Sequence, residues 1–140
     1  MIPSLEPYVR SLLRLIIGFT FACHGAQKLF GAFGGLGPAG GKATFLSLLW
    51  AAGVLEFIGG LLIVLGLFTA PVAFILCGEM AVAYFRQHFP RGAWPIRNGG
   101  ELAVLYCFIF LYLFTAGAGP LSLDRVLFKR FRVRRSNSRG

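Results

Sequence analysis

Apolar residues along the chain fall into four long runs, separated by short breaks rich in glycine and proline. The first runs from Val9 to Phe30, 22 residues, long enough at about 1.5 Å per helical residue to cross a hydrocarbon core of about 30 Å. The second, Ala43 to about Gly66, is interrupted by a single charge at Glu56 and carries Gly53, Gly59 and Gly60. Small residues of that kind let helices approach closely in lipid. Leu67 to Ala70 reads as a tight turn. Pro71 suits the first turn of a third helix, where its missing N–H has no intrahelical partner. That helix is expected to reach about Phe89, with Glu79 near its middle and Arg86 toward its end. Glu101 to about Ala116 forms the fourth run. Gly117, Gly119 and Pro120 end it, and Ser122-Leu123-Asp124 reads as a cap or turn.

The connections differ in chemistry. Gly31 to Lys42 holds six glycines and Pro38 and cannot sustain a helix. Pro90 to Asn98 combines Pro, Trp and Arg in the manner of an interfacial loop, and Trp50 and Trp94 are expected as interfacial anchors. The pattern predicts an all-α fold, an integral membrane four-helix transmembrane bundle over residues 1–124, followed by a basic tail over residues 125–140.

Composition agrees. The chain is 56% hydrophobic and 14% charged, with a mean hydropathy of +0.72, whereas soluble domains carry about 25% charged residues. The net charge of +9 belongs mainly to the tail, since seven of fourteen Lys and Arg lie between Arg125 and Arg139. Nucleic acid is therefore not an expected partner, and the lipid bilayer is. Four spans place both termini on one side, and Lys129–Arg135, with five cations in seven residues, marks that side as cytoplasmic. Arg91 and Arg97 on the opposite side weigh against this orientation. The tail is expected to hold anionic lipid or an acidic partner at about 1 kcal/mol per charge. The first run lacks a small-residue cleavage site and reads as a retained span. Cys23, Cys77 and Cys107 each lie in apolar sequence without CxxC spacing, so free thiols are expected, with a Cys23–Cys107 contact as the reactive alternative.

Ionisable residues inside the spans demand a reason, because a charge in hydrocarbon costs several kcal/mol. Alternating helix direction puts His24, Gln27, Lys28, Arg86 and Glu101 in the outer half of the bundle, with Glu56 and Glu79 nearer its centre. His24 and Lys28 are four apart and Glu79 and Arg86 seven apart, spacings that share a helix face. The expectation is one polar cluster: Glu56, Glu79, Glu101 and His24 as proton-handling candidates, and His24, Gln27, Lys28 and Arg86 as ligand-binding candidates. Two cations against three carboxylates leave one carboxylate, or His24, to hold a proton. Two readings stand side by side: a polar lock that fixes helix register, and a pocket whose donors meet a quinone carbonyl or a small oxyanion. Arg14, near the other end of the first span, is expected to snorkel. No metal-ligand spacing, hydrolytic triad or phosphate-cradling loop is present. Gly34-Gly35-x-Gly37 has no strand before it and is not a dinucleotide motif.

The landmarks His24-Gly25 with Gln27-Lys28, Glu56-x-x-Gly59-Gly60, Glu79-Met80 with Ala83, Asn98-Gly99-Gly100-Glu101 and Gly117-x-Gly119-Pro120-x-Ser122-Leu123-Asp124 resemble those of the DoxX family. The resemblance runs to about Asp124. It implies a small bacterial four-helix protein of the inner membrane with redox associations. One branch is similar to the large subunit of thiosulfate:quinone oxidoreductase, and others are linked to membrane complexes that handle thiol or oxidative stress. More distant relatives are associated with disulfide chemistry, but this chain lacks the paired cysteines that such chemistry would use, which weighs against thiol exchange. The resemblance thus implies a component of a membrane redox system, with quinone as the cofactor to consider and other membrane redox subunits as partners. The sequence names no redox centre of its own. The alternative is an accessory or structural subunit of a larger membrane complex, without chemistry.

Overall fold

Helix boundaries follow from local chemistry. Pro7 lies in the first turn of α1 (Glu6–Phe30), and Gly31 ends that helix in the left-handed conformation at φ 70°. Ser47 caps α2 (Leu48–Leu65) by accepting from the Trp50 N–H at 3.1 Å. The computed structural model describes residues 5–127, and its helices continue with α3 (Thr69–Ala83) and α4 (Glu101–Ala116). α3 runs on through a π turn, Tyr84–His88, and a 3₁₀ turn, Phe89–Arg91. Pro90 has no N–H to continue the ladder there. The expected basic tail lies mostly outside the described residues, including all of Lys129–Arg135.

The described chain is all-helical, apart from one isolated bridge between Leu36 and Gly41 in the α1–α2 connection. Glu6–Phe30, Leu48–Leu65 and Thr69–Arg91 are each long and apolar enough to cross a membrane. α4 is also apolar but has 16 residues, about 24 Å of helix. Large apolar side chains face outward along every helix, among them Phe19, Ile58, Phe74 and Phe108. So much exposed apolar surface fits lipid and not water.

Packing is organised as two hairpins. α1 lies along α2 through glycines seven apart on each helix, Gly18 and Gly25 against Gly60 and Gly53. A Cβ at Gly60 would stand 2.6 Å from the Ala22 nitrogen, and one at Gly18 would stand 2.7 Å from the Val64 nitrogen. The two backbones therefore touch. α3 pairs with α4, and Phe21, Ile63, Leu76, Met80, Tyr106, Phe110 and Leu113 fill the space between the hairpins.

The segment after α4 returns to the end of the bundle where α1 begins. Arg14 is fully buried and does not snorkel. Its guanidinium donates to the Ile63 and Val64 carbonyls at the end of α2 and to Leu121. A further bond reaches the Ala118 carbonyl at 2.9 Å. Snorkelling failed as an expectation because carbonyls in the last turn of α2 keep acceptor capacity for the guanidinium, Ile63 accepting from the Gly66 N–H at 3.0 Å as well, and the folded-back segment seals them from the interface. Asp124 accepts from the Phe68 and Thr69 N–H groups at 2.7 and 2.9 Å, capping α3 from 55 residues away.

Candidate functional site

The close α1–α2 contact sets the geometry of the polar residues. A Cβ at Gly53 would stand 2.9 Å from the Lys28 Cβ, so the lysine stem passes directly over the α2 backbone. Its ammonium group meets Glu56, one turn further along α2, as a hydrogen-bonded ion pair. Glu56 is 3% exposed, and its second oxygen, Oε2, has no partner among the described residues. α3 brings in Glu79, which interacts electrostatically with both Glu56 and Lys28. Among the described residues both Glu79 oxygens are shielded and without a hydrogen-bond partner. Three carboxylate oxygens of the group thus lack a hydrogen bond there, against one ammonium.

His24, one turn before Lys28 on α1, packs edge-on against Tyr106 of α4 with ring centroids 6.0 Å apart. The Tyr106 hydroxyl donates to Thr20 Oγ1 at 2.8 Å. Tyr106 and Thr20 were not singled out in the sequence. The available signal was Tyr106 sharing a face with Ala103, Phe110 and Leu113, all of them buried. The assembled site is therefore His24, Lys28, Glu56, Glu79 and Tyr106, with residues from all four helices.

The remaining expected members lie elsewhere. Gln27 donates from Nε2 to the Gly35 carbonyl at 2.8 Å and helps fold the α1–α2 connection. Arg86 is exposed, and no ion pair joins it to Glu79 among the described residues. The seven-residue spacing assumed an unbroken α-helix, but the π turn beginning at Tyr84 takes an extra residue and rotates Arg86 off the Glu79 face. Glu101 is exposed at the start of α4 and likewise does not join the cluster. His88 belongs to the α3–α4 connection, its Nδ1 lying 3.3 Å from the Asn98 carbonyl. Buried Asn98 organises that connection, donating to the Gly92 carbonyl at 2.7 Å and accepting from the Gly100 N–H at 2.8 Å. The three cysteines are free, as expected. The contact between sulfurs is Cys77 with Cys107, not Cys23 with Cys107.

Among known proteins, the DoxX family model matches residues 9–88, from α1 to the end of the π turn. The chain belongs to the DoxX family. It is 42% identical over 132 residues to an uncharacterized Haemophilus influenzae protein, covering 89% of this chain and 95% of the relative. It is 30% identical over 136 residues to an uncharacterized membrane protein of Mycobacterium tuberculosis, covering 84% of this chain and 80% of the relative. No solved structure matches significantly. Lys28, Glu56 and Glu79 all fall inside the matched DoxX segment, while Tyr106 and Asp124 fall outside it.

Proposed function

We propose that this DoxX protein is the quinone-binding component of a bacterial inner-membrane redox system, with the Lys28–Glu56–Glu79 group handling protons. The observation that carries the reading is the unpartnered Glu79 carboxyl beside an ion pair that already matches one cation to one carboxylate. The trio has one negative charge too many for a nonpolar setting and is completed by one proton, which Glu79 can hold and pass on. A sulfur oxyanion is disfavoured at this position, because Lys28 is already matched by Glu56 and a protonated Glu79 adds no cation, so no net positive charge is left to hold an anion. A neutral quinone needs no such charge. Its carbonyls accept hydrogen bonds, which a protonated Glu79 and the ring N–H of His24 could supply. A quinone exchanges two electrons together with two protons.

The expected test is extraction in mild detergent followed by mass spectrometry. Quinone should be retained by the wild-type protein and lost in Glu79→Gln. Retention at equal levels in both would remove the site. The second reading, an accessory subunit of a membrane complex, is favoured by the position of Lys28–Glu56 inside the backbone-close α1–α2 contact, where an ion pair fixes register. Co-purification in fixed ratio with other membrane redox subunits, without quinone, would favour it. In either reading the end of the bundle holding both termini is cytoplasmic, and the basic tail over residues 125–140 holds anionic lipid or an acidic partner.

A further inference from the structure

The Cys77 and Cys107 sulfurs lie 3.6 Å apart across the α3–α4 contact. A disulfide requires about 2.05 Å, so a side-chain adjustment of about 1.5 Å would close the gap. Core side chains next to each cysteine, Leu76 on α3 and Tyr106 on α4, hold the two helices in register. Both cysteines are half-buried at the outer edge of this packing. Phe74, one turn before Cys77 on α3, and Phe108, next to Cys107 on α4, are 60% and 65% exposed on the lipid side. A Cβ added at Gly78 would find nothing within 4 Å, which leaves open space beside Cys77. Glu79 is two residues from Cys77, about 200° around the helix. The sulfur pair therefore occupies a different face of α3 from the polar site and stands independently of it.

We propose that Cys77 and Cys107 are a redox-active dithiol inside the bilayer, oxidised to an α3–α4 disulfide by a lipid-dissolved quinone. Two S–H bonds break and one S–S bond forms. The two electrons and two protons released pass to the quinone oxygens and give one quinol. Charged thiols and oxidants of the aqueous phase are kept from the pair by hydrocarbon, whereas a lipid-dissolved quinone reaches the half-buried sulfurs from the lipid side.

The test uses the full chain, reduced and reconstituted in phosphatidylcholine liposomes, with decylubiquinone as the probe. Intact mass after N-ethylmaleimide labelling should show two of three thiols protected, a Cys77–Cys107 cross-linked peptide, one quinol per protein and Cys23 still free. Cys77→Ser and Cys107→Ser should each reduce quinol formation to background while keeping the wild-type melting temperature. Three alkylatable thiols under excess quinone would overturn the proposal. Equal quinol formation in the serine variants would do the same. Closure by diamide but not by quinone would overturn the quinone assignment.

Discussion

Lys28 and Glu56 illustrate what a single buried pair demands of a membrane helix. Removing one partner strands the other in an apolar interior, at a cost of about 3–5 kcal/mol, whereas replacing both with apolar side chains is often neutral. Lys28→Met should therefore lower the melting temperature in detergent sharply, and Lys28→Met with Glu56→Leu should recover most of the loss. A double variant no more stable than the single one would show that Glu56 is not the partner that matters. Arg14→Leu should be more damaging than either, because it leaves several carbonyls unpaired at once. These residues were unevenly legible in the sequence. Lys28, Glu56 and Glu79 stood out, since ionisable groups inside apolar runs have few solutions. Arg14 was misjudged because its carbonyl partners come from α2 and from beyond α4, far away in sequence. The Cys77–Cys107 contact was invisible for the same reason.

At the level of elements, glycine spacing decides how closely helices pack. Gly60→Ala places a Cβ within 2.6 Å of the Ala22 backbone nitrogen, so one helix must move. The expected cost is about 1–3 kcal/mol, with loosening of the Lys28–Glu56 pair beneath. Gly78→Ala meets nothing within 4 Å and serves as the control. Similar melting temperatures for the two variants would refute the backbone-contact account. The element pattern itself was largely legible. Helix existence and order followed from apolar runs, and Gly31 and Gly117 marked C-terminal ends. The start of α2 was placed at Ala43, whereas Ser47 begins it by capping Leu48 onward. The π turn carries no apolar signature, and this single irregularity separates Arg86 from the site to which a regular helix would have assigned it.

For the whole molecule, the four helices and the contacts that join them lie within residues 5–127. Deleting residues 130–140 should leave insertion and melting temperature unchanged, while binding to vesicles containing anionic lipid weakens. A collapse of the fold on truncation would show the tail to be structural. A C-terminal tag should resist protease added to intact cells, and its cleavage under conditions that spare cytoplasmic controls would reverse the proposed orientation. Asp124→Ala should cost about 1–2 kcal/mol through loss of the α3 cap. The bonds from Arg14 to Ala118 and Leu121, and from Asp124 to the start of α3, also bear on how the protein is made. At about 5–20 residues per second of synthesis, the first helix is in the membrane for several seconds before its arginine can find its last acceptors. During that interval the nascent protein carries an incompletely matched cation, a tag of immaturity that disappears when the chain's end folds home. Ribosome-stalled chains ending before Gly117 should therefore remain sensitive to membrane proteases, and chains that extend past Asp124 with room to emerge should become resistant.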